Sequence, residues 1–220
     1  EMIESGADII DIGGESTKPG GVYRCSAYVS KEEEIERIVP VIEKIVKETG
    51  AIISVDTYKS ETAKEALKAG AVIVNDISGL KSDTKMAEVV SDADAAVIIM
   101  HMQGSPQNMQ DNPQYEDVVE DIISELKDSI SIAKSAGIKD NKIVVDPGLG
   151  SGKSISNNLE IVNRLKEFKT LGYPLLIGAS RKSMVGAVLN LPVDERVEGS
   201  LAVAAVSAMN GASIFRVHDV

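Results

Sequence analysis

The sequence has no tryptophan, two phenylalanines and one cysteine among its 220 residues. A core without large aromatics must be filled by valine, isoleucine, leucine, alanine and methionine. The hydrophobic share of 43% supplies enough of them. The single cysteine, Cys25, excludes an internal disulfide and suits a reducing cytoplasm, which is the expected location. With no histidine near it in sequence, Cys25 reads as a free thiol. No apolar run is long enough to cross a bilayer, so no membrane partner is expected. Basic residues are scarce too. Against 34 acids stand 23 lysines and arginines, and a net charge of −11 argues against a nucleic-acid surface. An anionic ligand would have to be met by a few local cations. The length suits a single α/β domain over 1–220.

What the chain does contain is a repeat. Short runs rich in β-branched residues recur at 7–13, 51–57, 72–77, 95–101, 142–148, 174–180 and 213–220. They are apolar almost throughout rather than alternating, as parallel strands covered on both faces are. Between them lie helical patterns: SKEEEIERIVPVIEKIVKETG, SETAKEALKAG, DVVEDIISELKDSISIAKSAG, NNLEIVNRLKEFKTLG and SLAVAAVSAMNG, with KMAEVVSDAD a weaker one. The stronger five end in glycine, and the first opens on Ser30 followed by acids, which is sound capping grammar. Asp11 and Arg216 are six units apart, roughly 34 residues per unit, the size of one βα repeat. The pattern predicts a (β/α)8 TIM barrel. Seven strands are one short of closure, and residues 1–6 read as the end of a helix. The expectation is therefore a segment lacking the first strand and the last helix.

Residues 144–154, VVDPGLGSGKS, come close to the wording of a phosphate-binding loop. However, Pro147 stands where that loop needs its first glycine, and proline has no N–H to offer a phosphate. Asp146 at the strand tip would also repel an anion. Polar tips are instead general. They carry Asp11, Asp56, Asn75 with Asp76, Met100 with His101, Asp146, Ser180 with Arg181 and Lys182, and Arg216 with His218. Barrel enzymes build their sites from the carboxyl ends of several strands, so these tips predict one shared pocket.

The stretches GADIIDIGGESTKPGG, VDTYK, NDISG, MHMQGSPQNMQ, DPGLGSGK, GASRKS and RVHDV, in this order and spacing, resemble the dihydropteroate synthase family over essentially the whole chain. The resemblance implies a transferase of folate biosynthesis. It would join 6-hydroxymethyl-7,8-dihydropterin diphosphate to p-aminobenzoate and release diphosphate. It implies pterin contacts from Asp56, Asn75, Met100, Asp146 and Lys182, of which Asp56, Asp146 and Lys182 would take part in catalysis. A carboxylate can accept two of the pterin's donors, and an amide can both give and accept. Diphosphate would meet Arg216 and His218, two apart on one strand and so on one face. The p-aminobenzoate side would be formed by Thr17, Lys18, Pro19 and Ser183, with the loop after Ser16 closing over it. The family's Mg2+ sits on the diphosphate, held by an asparagine on a strand that precedes residue 1. The family is also a homodimer, built through late barrel helices, and a sulfonamide target.

Two positions depart from the family's pattern, Lys18 for arginine and Ser151 for phenylalanine, both on the p-aminobenzoate side. A methyltetrahydrofolate-corrinoid methyltransferase shares a pterin-binding barrel but has no use for the Ser-Arg-Lys and Arg-Val-His-Asp tips. A pterin-binding module without catalysis is the other alternative. Among the remaining residues, Lys59 either pairs with a carboxylate near the pterin pocket or snorkels from a helix start. The acidic stretch 116–128 reads as a solvated face, and SLAVAAVSAM as either a well-buried helix or part of a subunit interface.

Overall fold

The structure, a computed structural model, describes residues 1–16 and 28–220. Thr17, Lys18, Pro19 and Cys25 lie outside the described residues. Strands form where the apolar runs predict them: β1 (Ile9–Gly13), β2 (Ile52–Asp56), β3 (Ile73–Asp76), β4 (Ala96–Met100), β5 (Ile143–Asp146), β6 (Leu176–Ile177) and β7 (Ile214–Phe215). The first five pair in parallel in sequence order, and β6 pairs in parallel with β7. A parallel bridge between Val145 and Leu175 joins the two groups. The sheet curls until its ends face each other, so that Arg216, just past β7, reaches Asp11 of β1 with Nη1 3.4 Å from Oδ2. This is the (β/α)8-barrel architecture, with seven strands among the described residues.

The helices are α1 (Lys31–Thr49), α2 (Ser60–Lys68), α3 (Met86–Asp92), α4 (Val118–Ser135), α5 (Ile155–Asn163), α6 (Ser183–Leu189) and α7 (Val197–Met209). Capping follows the sequence. The Ser30 hydroxyl accepts from Glu33 N, and Gly50 closes α1 at φ +66°, a conformation that needs no Cβ. The helices cover the outward side of the strands, where Val55, Val74, Val97, Ile99 and Val145 are fully buried. They pack against Ile38 and Ile42 of α1, Ala63 of α2, Ile122 and Leu126 of α4 and Ile161 of α5. No helix among the described residues is long and apolar enough to cross a membrane.

The structure corrects the pattern in three places. Residues 157–172 are not one helix: α5 stops at Asn163 and a 3-10 segment, Leu165–Leu171, follows. The break is fixed by Arg164, which reaches Asp117, Glu160 and Glu167 together. A short helix, α6, lies where the sequence pattern predicts none. It begins directly after Lys182, and its Gly186 leaves room for the Arg196 guanidinium to pack against it. Finally, α7 is not a well-buried helix. Leu201 is 62% and Met209 82% exposed, and Ser207 is its one fully buried residue.

Candidate active site

Register decides which polar tips share a face. Gly13 pairs with Asp56, Asp56 with Asn75 and Met100 with Asp146. Because side chains alternate along a strand, Asp11, Asp56, Asn75, Met100 and Asp146 all point into the barrel. Asp76 points outward, where it is buried and accepts from Ser78 N at 2.8 Å, Ser78 Oγ at 2.7 Å and Leu80 N at 3.0 Å. It caps the loop after β3 and takes no part in the pocket. His101 likewise turns away, into a contact between its Nδ1 and Lys153 Nζ at 2.9 Å, with Glu125 Oε1 3.5 Å from its Nε2. Glu125 also pairs with Lys81, so the acidic face of α4 is partly committed to structure rather than only solvated.

Inside the barrel two acceptor atoms stand out. Asn75 is fully buried and gives its Nδ2 to Asp11 Oδ2 at 3.0 Å, which leaves Oδ1 buried without a hydrogen bond. Asp146 is 1% exposed, and its Oδ1 accepts from Gly148 N at 2.7 Å while Oδ2 accepts nothing. Buried acceptors left open cost free energy unless a ligand's donors fill them. Two of them on one lumen face call for a ligand with several N–H groups along one edge. Met100, 3% exposed, stands in register beside Asp146 and offers a polarisable thioether.

Cations lie against these acceptors. Arg216 Nη2 is 3.7 Å from Asp146 Oδ2. Lys182 Nζ donates to the Leu149 carbonyl, which holds its stem over the β5 loop. Burial, reinforced by the Arg216 charge, lowers the Lys182 pKa to about 8. Burial also raises Asp56 to about 7, helped by the Asp11 carboxylate and opposed by Arg216. The two terminal motifs interlock: His218 N donates to Ser180 Oγ at 3.2 Å, and Arg181 clamps Asp219 with two contacts at 2.8 and 2.5 Å. Arg181 and Asp219 thus serve the framework, Arg216 lies between Asp11 and Asp146, and the His218 ring sets its Nδ1 3.0 Å from the same Ser180 hydroxyl. Ser183 is exposed at the start of α6, next to Lys182.

The loop after Asp146 is shaped by its glycines. A Cβ at Gly150, φ +82°, would stand 3.1 Å from Lys182 Cδ. Gly150→Ala should cost about 1–2 kcal/mol through the left-handed backbone alone and push the Lys182 stem aside. Chemical denaturation of the variant checks this, and unchanged stability would mean the loop relaxes freely. The lysine that resembled a phosphate-binding residue, Lys153, instead staples this loop to the end of β4. Its Nζ reaches Ser151 O at 2.8 Å as well as His101.

Asp11 stands at a strand tip to which the sequence assigns no role, and Glu34 is a further buried acid that no motif marks. That acid is 1% exposed and pairs with Lys59 at 2.8 Å, while Glu15 holds the same ammonium and accepts from Tyr58 Oη at 2.8 Å. Lys59 therefore pairs rather than snorkels. The signal was present, since Glu34, Ile38 and Ile42 share one helical stripe.

Together these features define a barrel with open, buried acceptors in its lumen and a guanidinium beside them. The profile of the pterin binding enzyme family matches residues 1–218, and the chain belongs to that family. It is 49% identical over 221 residues to the dihydropteroate synthase of Clostridium beijerinckii, a match that covers 100% of this chain and 78% of that protein. The crystal structure of the Clostridium difficile dihydropteroate synthase in the presence of pteroic acid superposes with a TM-score of 0.92 at 46% identity. That match covers 99% of this chain and 79% of the other. The Yersinia pestis dihydropteroate synthase with a sulfonamide drug gives 0.93 at 44% identity, covering 99% and 77%.

Proposed function

We propose that the chain catalyses the dihydropteroate synthase reaction of folate synthesis. The amino nitrogen of p-aminobenzoate attacks the methylene carbon of 6-hydroxymethyl-7,8-dihydropterin diphosphate. The carbon–oxygen bond to diphosphate breaks, diphosphate leaves with that electron pair, and the nitrogen loses one proton to water. The observation that carries this reading is the pair of open, buried acceptors, Asn75 Oδ1 and Asp146 Oδ2, beside Arg216. They match the N–H groups of an aminopyrimidine edge, and Arg216 matches a diphosphate on the same ligand.

In this reading Asp146 and Asn75 hold the pterin, Met100 packs on its ring, and Lys182 donates to the pterin carbonyl. Positive charge gathers on the methylene carbon as diphosphate departs, and the preorganised carboxylates of Asp56 and Asp146 stabilise it. Arg216 and His218 hold the diphosphate. Ser183, with Thr17, Lys18 and Pro19 of the preceding loop, receives p-aminobenzoate. A Mg2+ belongs to the same proposal. Among the described residues no cluster of three His, Cys, Asp or Glu could hold a metal. The resemblance would give the ion its protein ligand, an asparagine on a strand that precedes residue 1, beside the diphosphate. The ion would supply charge neutralisation on the leaving group. The exposed apolar face of α7, with Leu201, Val206 and Met209, supports a homodimer through that helix. A cytoplasmic location is proposed from the single cysteine.

The test is diphosphate release by the full-length protein from the pterin diphosphate, with and without p-aminobenzoate. Release that depends on p-aminobenzoate is the expected result. Pterin binding without release would mean a binding module, and failure to bind pterin would remove the reading altogether.

A further inference from the structure

We propose that Asp11 is a positioning residue that sets the hydrogen-bonding polarity of the pocket, fixing Asn75 as an acceptor and Arg216 as its neighbouring cation. The assignment rests on the pterin reading above. A carboxamide is ambiguous, because either its oxygen or its NH2 can face a ligand. Here the ambiguity is removed by a third strand. Asp11 offers only acceptor oxygens, and its Oδ2 lies 3.0 Å from Asn75 Nδ2, so the amide group must turn its NH2 toward β1. The oxygen then has one direction left, into the lumen, where it is buried and unpartnered. The reversed amide would set its oxygen against the Asp11 carboxylate and present donors to a ligand edge that is itself made of donors.

The same Oδ2 stands 3.4 Å from Arg216 Nη1, and Arg216 Nη2 stands 3.7 Å from Asp146. One carboxylate thereby fixes the amide that reads the heterocycle and tethers the guanidinium that meets the anion. The Asp11 side chain is 22% exposed and the Arg216 side chain 28%, so this pair lines the cleft rather than lying sealed in the core. Asp11 also faces Asp56, whose surroundings include Glu34 of α1, Asp76 of β3, Arg216 beyond β7 and Lys182 at the end of the β6 loop. After burial, the Asp11 charge is the largest contribution that holds Asp56 near about 7. Removing that charge while the cations stay must lower the Asp56 pKa.

Two substitutions in the full-length protein separate positioning from mere bracing. Asp11→Asn keeps an oxygen that can accept from Asn75 but removes the charge. Asp11→Ala removes both. Binding of diphosphate-free hydroxymethyl-dihydropterin is measured by calorimetry, and kcat/KM for the diphosphate is followed against pH. Asp11→Ala should lose about tenfold in pterin affinity, the worth of one hydrogen bond into a buried site. Asp11→Asn should stay within about threefold of wild type for the pterin, because its oxygen still orients Asn75. Its acidic pH limb should nevertheless move down by about one pH unit. Equal affinity losses in both variants with an unmoved limb would make Asp11 a brace and overturn the assignment. Wild-type affinity and limb in both variants would overturn it as well. A wild-type protein that binds no pterin would overturn the functional reading, and this assignment with it.

Discussion

Asp146→Asn is expected to weaken binding of the diphosphate-free pterin by roughly ten- to a hundredfold, since a charge-assisted hydrogen bond contributes about 1.5–3 kcal/mol. The reason lies in how the carboxylate is already used. Oδ1 accepts from Gly148 N at 2.7 Å, and that bond holds the oxygen of an asparagine in the same place. The NH2 must then occupy the position of Oδ2, the atom left open for the ligand. A donor would meet donors. The alternative amide orientation restores an acceptor to the pocket but sets NH2 against Gly148 N, so neither choice recovers the binding. Arg216 also loses a counter-charge 3.7 Å away. Calorimetry on the full-length protein showing unchanged pterin affinity would remove Asp146 from the site.

Arg216→Ala is expected to have the larger effect on the diphosphate ligand. Each charge-assisted hydrogen bond the guanidinium gives a diphosphate contributes about 1.5–3 kcal/mol, and Asp11 and Asp146 also lose the cation they share. With two such bonds lost, affinity for the pterin diphosphate should fall by more than about a hundredfold. Affinity for the diphosphate-free pterin should fall less, because what it loses is only the bracing of Asp146 and Asp11. His218→Ala should separate the two ligands more cleanly. Its backbone N–H to Ser180 survives the change, although the Nδ1 contact to the same hydroxyl at 3.0 Å is lost, and the diphosphate loses the imidazole. The expected outcome is about a tenfold loss for the diphosphate ligand and none for the free pterin. Equal losses for both ligands in the two variants would assign Arg216 and His218 to the framework.

These outcomes depend on contacts of different legibility. Arg216 and His218 are placed on one face by a sequence pattern that extends the last strand to 213–220, but β7 ends at Phe215 and both residues follow it. That Asp219 and Arg181 would pair with each other could not be read from sequence, since 38 residues separate them and only the pairing of β6 with β7 brings them together. Asn75 and Asp76 look equivalent as neighbouring polar residues at one strand tip. Register with Asp56 turns the first inward, and the Ser78 and Leu80 amides take the second. The helix α6 escaped notice because seven residues with a central glycine carry little periodic signal, and it is the Arg196 guanidinium packed against Gly186 that stabilises the turn. For α7 the composition was read correctly as uniformly apolar, but composition does not say which face a helix leaves uncovered.

By itself the sequence determined the alternation of strand and helix, the parallel sheet and the chemical types gathered at its carboxyl edge, because local periodicity and strand-end position encode all three. Only the tertiary structure decided which of those groups is left free. Asn75 and Asp146 each spend half of their capacity on the protein, one on a residue 64 positions away and one on the turn that follows. The open half depends on where a folded neighbour stands. Asp11 shows this most directly, since its contact with Asn75 needs β1, β2 and β3 side by side and its reach to Arg216 exists only once the first and last strands have been brought together.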